Sequence, residues 1–302
     1  MLNFLNNLTI RQRLLLGVIL FIATLLVSMY QAYVSIGSNI DFATQEMKGN
    51  KYQRPVAKML LDAGSLRLLA KMSAMGHPIS SDGIDSLVKS IETEMKKLKA
   101  IDKEIGVDLQ FTEQGLASRG RDNLKMEKVA SKWDALSSAF SAPANVKDED
   151  IASFIGDLRG LIAHSGETSN LILDPDLDSY YLMDVTLLAL PQTLDRQSVI
   201  ATTLLPQLAA SYSMTDADKV EAAVMSRLLK EADVDRVAAD MDVSLKEDPN
   251  FYGASPTYKK NIAPVFDAYT ASNGVLRDIL AKISAEGNFS QKDFIMAWDA
   301  AH

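Results

Sequence analysis

The feature that most constrains this chain is one uncharged run, Leu14 to Tyr33, reading LLLGVILFIATLLVSMYQAY. About twenty residues of helix cross a hydrocarbon core of roughly 30 Å, and this run has that length. The stretch before it is short and carries Arg11 and Arg13 with no acidic residue. Two other readings compete with a membrane anchor. Signal-peptide apolar regions are shorter, up to about fifteen residues, and end at a small-x-small cleavage site. Here the run passes through Met29 and Tyr30 into more helix-compatible sequence, and Ala32-Tyr33-Val34 is a poor cleavage site. A buried core helix would show one polar side, which this run lacks. The positive-inside rule then places Arg11 and Arg13 in the cytoplasm. The layout reads as a cytoplasmic tail at 1–13, a transmembrane helix at 14–34 and a large exterior region at 35–302.

Charge supports that division. The net charge of the 302-residue chain is −8, and the two arginines of the tail leave −10 on residues 35–302. An acidic exterior argues against nucleic acid, which needs a basic footprint. The chain has no cysteine, so disulfides and thiolate metal sites are excluded. His77, His164 and His302 are far apart in sequence and suggest no metal cluster.

Beyond the anchor the apolar residues recur at helical spacing. Residues 36–50 extend the first helix, with Pro55 expected to bend it. Val56, Met59, Leu60, Ala63, Leu66 and Ala70 follow, up to a stop at Gly76-His77-Pro78. A second helix carries Ile84, Leu87, Val88, Ile91, Met95 and Leu98 and ends at Gly106, with Glu92 to Glu104 as its solvated face. A third is expected from Thr112 to Ser141 on Val129, Trp133, Leu136 and Phe140. After the loop at 142–145, a fourth carries Ile151, Phe154, Ile155, Leu158, Leu161 and Ile162, with His164 on a solvated flank. Asp174-Pro175-Asp176 breaks it, because the residue before proline avoids the helical region. A fifth helix reaches Tyr212, kinked or briefly broken by Pro191 and Pro206. The sixth starts at Thr215 with Val220, Val224 and Leu228 as its apolar face, followed by Val234, Val237, Met241 and Leu245. The seventh runs from Tyr258 through Phe266, Tyr269, Leu276 and Ile283 to Gly287, and Ser290 caps a last helix. No alternating strand-length run is present. The fold class is all-α: a transmembrane helix and then an elongated antiparallel bundle, as two stacked four-helix bundles or one irregular bundle.

Ser169 to Asp184 reads SNLILDPDLDSYYLMD. This stretch resembles a signature of bacterial transmembrane receptors with large helical periplasmic sensor regions: methyl-accepting chemotaxis proteins, sensor histidine kinases and some cyclic-dinucleotide enzymes. The start LTIRQRLLLGV, Leu8 to Val18, resembles the first membrane entry of the same receptors. Phe294-Ile295-Met296-Ala297-Trp298 resembles the region just before their second membrane helix. The resemblance implies a periplasmic ligand-sensing region in the bacterial inner membrane. It also implies a homodimer, and a second membrane helix, HAMP linker and output domain beyond His302. Chemotaxis is the first expected output, a histidine kinase the second, and a membrane-anchored helical adaptor the reading without signalling.

Candidate ligand contacts follow from chemistry at helix faces. Arg67 and Arg196 lie at the edges of apolar faces, where a guanidinium can grip an organic acid, amino acid or small anion in a bidentate manner. The blander alternative is that each pairs with a neighbouring carboxylate. Tyr180 and Tyr181 offer hydroxyls beside Asp174, Asp176 and Asp178, or simply pack at a helix restart. The three aspartates do not form an EF-hand, because the sixth position from Asp174 is Ser179 and the twelfth is Val185, not glycine and glutamate. No nucleophile–base grouping, phosphate-cradling glycine loop or paired-carboxylate motif is visible, so neither catalysis nor a cofactor is expected.

The chain's lack of cysteine makes its topology directly measurable. In intact cells a membrane-impermeant maleimide should label Ser38→Cys and should reach Asn7→Cys only after lysis. The reverse pattern would place the large region inside.

Overall fold

The computed structural model describes residues 9–250 and 253–302. Every regular element among them is helical. The chain divides into a unit at Met1–Glu46 and a larger one at Met47–His302. The first helix, α1 (Ile10–Ala74), contributes to both. Among the described residues it is the one helix long and apolar enough to cross a membrane, and none of its apolar window is buried in protein. Leu14, Val18, Phe21, Leu25 and Tyr33 are all exposed. Burying a large apolar side chain is worth about 2 kcal/mol, so this surface calls for an apolar cover.

In the second unit the helices are α2 (Ser81–Ile105), α3 (Glu113–Ala117), α4 (Met126–Ala139) and α5 (Asp148–Thr168). They continue with α6 (Leu177–Met183), α7 (Leu190–Gln207), α8 (Asp216–Leu228), α9 (Asp235–Glu247), α10 (Tyr258–Glu286) and α11 (Gln291–Ala301). Local chemistry explains many boundaries. The Thr112 hydroxyl accepts from the Gly115 N–H at 3.1 Å, Thr215 and Asp218 form a capping box, and the Ser290 hydroxyl accepts from Asp293. Gly76 and Gly120 adopt positive φ and close α1 and α3 with paired Schellman hydrogen bonds, His77 N–H to Met72 and Arg121 N–H to Leu116 being the long ones. Pro55 lies inside α1, whose helical assignment continues through it without a break.

Three clusters of apolar side chains form the interior. In the first, Tyr52, Met59 and Leu66 of α1 meet Ile91 and Leu98 of α2, Trp133 of α4, and Phe154 and Leu158 of α5. The second joins Leu68 of α1 to Ile200 and Leu204 of α7, Leu276 and Leu280 of α10, and Phe294 and Trp298 of α11. A smaller third cluster holds Val185, Ala189, Val237 and Met241.

Four expectations are corrected. The third helix is not continuous from Thr112 to Ser141, because Gly120 terminates α3 and a short 3-10 turn at Asp122–Leu124 precedes α4. The expected fifth helix begins as α6 and then widens into a π-helical segment at Asp184–Ala189 before α7. There the Leu190 N–H reaches back five residues to Val185, just before Pro191, which has no N–H to donate. The sixth helix is likewise interrupted by a π segment at Leu229–Val234, for which no proline gives a reason. Its expected core face is also wrong: Val220, Val224 and Leu228 are exposed, and Ala222 and Leu229 point inward instead.

The fourth correction is His164, which is fully buried instead of solvated. Arg121 lies 3.3 Å from its Nδ1, and an arginine can only donate, so Nδ1 accepts. Its Nε2–H then donates to the Leu109 carbonyl at 3.1 Å, with the Gln110 carbonyl 3.3 Å away. Burial first, and the Arg121 charge second, hold the ring's pKa below the ordinary histidine value, which keeps it neutral. The ring packs on Phe111, which stacks on Tyr52 at 4.2 Å. Gln110 has positive φ, so this histidine secures a turn that a non-glycine residue adopts at a cost. His164→Leu should lower stability by about 1–3 kcal/mol in chemical denaturation, the usual cost of orphaning buried polar groups. An unchanged midpoint would remove His164 from this role.

Candidate functional site

One cleft in the second unit combines apolar walls with buried polar groups. It has a volume of about 350 Å³. From α1 come Ala57, Lys58 and Leu61, and from α7 come Leu190, Thr193, Leu194 and Gln197. Tyr269 of α10, with Ala301 and His302 at the end of α11, completes the wall. A mostly apolar pocket between helices with a few converging polar groups is the usual form of a small-molecule site.

Beneath the cleft a buried amide network joins α7, α10 and α11. The Gln197 side-chain amide donates to Asn273 Oδ1 at 2.8 Å and to the Ala301 carbonyl at 2.9 Å. The Trp298 indole N–H donates to the Gln197 carbonyl at 2.7 Å. His302 stacks on Trp298 at 4.3 Å, and its Nε2 lies 2.9 Å from the Leu61 carbonyl of α1. Burial lowers the pKa of His302, and its Nδ1 lies 3.3 Å from Gln197 Oε1, so the neutral ring donates its one N–H to either that oxygen or the Leu61 carbonyl. The ring approaches α1 so closely that a Cβ on Gly64 would lie 2.5 Å from it. The sequence thus needs glycine at that turn.

The Tyr269 hydroxyl oxygen is shielded from solvent, with the Thr193 hydroxyl as its near polar neighbour. The Thr193 hydroxyl donates to the Ala189 carbonyl at 2.8 Å and keeps its lone pairs free to accept. Burial, opposed by a hydrogen bond with Thr193 and reinforced by the Asp233 carboxylate, pushes the Tyr269 pKa up to about 12, so the phenol stays protonated. The cleft's cation is already matched: Lys58 Nζ lies 2.6 Å from Asp62, whose other oxygen accepts from Ser90.

None of the four residues singled out from sequence lines this cleft. Arg67 grips Asp148 with two hydrogen bonds, at 2.7 and 2.6 Å, and reaches the Ser198 hydroxyl at 3.0 Å, tying α1 to α5 and α7. That contact holds the Asp148 carboxyl below its ordinary pKa. Arg196 pairs with the buried Asp233 of the second π segment. A ligand at either arginine would have to displace a carboxylate. Tyr180 and Tyr181 meet edge to face at 5.4 Å, with Tyr180 exposed and Tyr181 half-buried. Their aspartate-rich stretch restarts the helix: Asp174 Oδ1 accepts from the Asp176 N–H at 3.0 Å across Pro175. Ser244 of α9 anchors it by donating to the Asp178 carbonyl at 2.6 Å. The cleft residues escaped sequence reasoning because Gln197 and Tyr269 sit singly on otherwise apolar faces, and periodicity does not report which faces meet.

A second polar centre lies where the first π segment meets α9. Arg236 binds Asp184 through two hydrogen bonds, at 2.8 and 2.6 Å. Asp240 lies beside the same carboxylate. Burial first, then its hydrogen bond to Asp184 and that group's charge, raise the Asp240 pKa to about 6, against the opposing pull of Arg236.

No protein-family model, curated protein or solved structure matches this chain.

A carboxyl whose pKa is raised in the folded state stabilises the fold when protonated and loses that contribution as pH rises. The loss at Asp240 therefore falls between about 4, the ordinary aspartate value, and about 6. Asp240→Asn should flatten this part of the stability–pH curve and raise the melting temperature at pH 7. Parallel curves for the two proteins would show that Asp240 titrates normally.

Proposed function

We propose that this chain is the membrane-anchored, ligand-sensing part of a bacterial transmembrane receptor, with its helical region outside the inner membrane. The observation that carries the reading is the continuity of α1. The helix that contains the membrane-length apolar stretch also supplies Ala57, Lys58 and Leu61 to the wall of the cleft. In this reading a ligand between α1 and α7 favours one packing of those helices over another, and a small shift or rotation of α1 carries the difference toward the membrane. The receptor is a homodimer of the chemotaxis type, with a histidine kinase as the second choice of output. The resemblance at Ser169–Asp184 supports this class. The helical region forms two four-helix bundles stacked on a shared α1, which the two main apolar clusters support.

A membrane-anchored adaptor is the second reading. The exposed Val220, Val224 and Leu228 of α8 favour it, because they recur at one-turn spacing on one side of the helix.

The two readings separate on small-molecule binding. For the full chain in lipid nanodiscs, a sensor should show a raised melting temperature with at least one member of a panel of acids, amino acids, small anions and neutral compounds. A ligand present at about 100 times its Kd adds roughly 2.7 kcal/mol of stability. No rise across the panel would leave the adaptor.

A further inference from the structure

We propose that the contact between the first π segment and α9 is a proton-operated joint: one proton shared between Asp184 and Asp240 holds the two elements together, and its loss lets α9 move away from the π segment. Such a joint is independent of the ligand cleft and of the sensor reading, and it makes the helical region responsive to pH.

Each π segment is fastened to the helix that follows the other. Asp184 opens the first segment and is held by Arg236 of α9, the helix after the second segment. Asp233 lies in the second segment and is held by Arg196 of α7, the helix after the first. A π segment interrupts the regular helical ladder, and helices change direction at such points. The two helical runs are therefore tied by crossed ion pairs at the turns where each can bend.

The two clasps differ in charge balance. Asp233 meets Arg196, with Arg236 and Arg159 also acting on it. On the other side two carboxylates share one guanidinium, because Asp240 lies within hydrogen-bonding reach of Asp184. Both aspartates are half-buried, so water screens them incompletely. With one proton on the pair, one negative charge faces Arg236 and the cluster is neutral. Without it, two negative charges face one positive charge across the joint. Arg236 is the one cation acting on Asp240 among the described residues. The others around it are engaged: Arg196 with Asp233, Arg159 of α5 with Asp195 and Gln192, Lys230 with Asp235 and Lys246 with Asp242. Against α9, α10 packs the titratable Tyr258 and Tyr269. From α6 come Asp178, which acts on Tyr258, and Tyr180 and Tyr181, which meet each other. Burial first, and Asp184 next, place the Asp240 pKa at about 6. As pH rises through that value the proton leaves, the carboxylates repel and the joint loosens. The Arg196–Asp233 clasp keeps its pairing and serves as the pivot.

The test uses the full chain in lipid nanodiscs, with spin labels at Thr186→Cys in the first π segment and Lys246→Cys on α9, both exposed positions in a chain without cysteine. One short distance is expected at about pH 5, and a longer second population by about pH 8, with a midpoint near 6. Release of one proton limits the change in the population ratio to about tenfold per pH unit. Asp240→Asn and Asp184→Asn each leave one carboxylate facing Arg236, so each should keep the short distance throughout. A higher melting temperature of Asp240→Asn at pH 7 distinguishes a locked joint from an unfolded one. Glu231→Gln, at an exposed carboxylate of the second π segment that pairs with Arg227, should leave the transition where it is. A single distance at every pH in the otherwise unsubstituted chain overturns the proposal. So does a transition that persists in either aspartate variant, or a midpoint that moves with Glu231→Gln.

Discussion

The second unit depends on how closely other elements can approach residues 49–70 of α1. This segment is buried along most of its length, and it faces different cores with adjacent turns: Leu66 belongs to the first apolar cluster and Leu68 to the second. A helix surrounded in this way cannot carry large side chains on every side. Gly49 admits Ser169, whose Oγ would lie 2.1 Å from a Cβ there, and Gly64 admits the His302 ring. One contact brings the end of α5 against α1 and the other brings the end of α11. The second of these contacts seats His302, which lines the cleft, against α1.

The interior also shows how helices hold polar groups away from water. Asn273 and Gln197 are fully buried, and each makes hydrogen bonds that join neighbouring elements. Arg67, Asp148 and Ser198 form a similar link between α1, α5 and α7. Such a network is stable only when its members are satisfied, because an orphaned donor or acceptor costs about as much as several good contacts contribute. The departures therefore carry information. Asp233 and Asp240 each have an oxygen without a partner and lie in or beside a π segment. Widened turns of this kind recur at functional sites in helical proteins.

Much of the fold was legible because it is written locally. Thr112 and Ser290 were recognisable as caps, Thr215 as a helix start, Gly76 and Gly287 as stops, and the stripe from Ile151 to Ile162 as a buried face. Each signal lies within one or two helical turns of the structure it specifies. The errors have a common physical origin. Val220, Val224 and Leu228 recur like a core stripe, yet the residues that point inward are Ala222 of α8 and Leu229 at the start of the π segment after it. Spacing identifies a stripe without saying whether another helix covers it. His164 looked solvated because its partners, Leu109, Gln110 and Arg121, are more than forty residues away. The DPDLDSYY stretch was correctly seen as a helix restart, but α5 already stops at Thr168, with Asn170 at positive φ, before the proline can break it, and the anchoring of the stretch by Ser244 depends on a residue far along the chain.

By itself the sequence determined that this chain is helical, that one segment matches a membrane in length and polarity, and that the rest is acidic, cysteine-free and built from amphipathic helices. Those properties follow from short-range spacing and composition, which involve no knowledge of neighbours. Only the tertiary structure decided which faces meet, that Arg67 and Arg196 already hold carboxylates, and that Tyr269, Gln197 and His302 gather at one cleft. Their separation in sequence, 72 residues from Gln197 to Tyr269 and 33 more to His302, is bridged by packing. The partners of a buried polar group can be recognised only once everything around it has been placed.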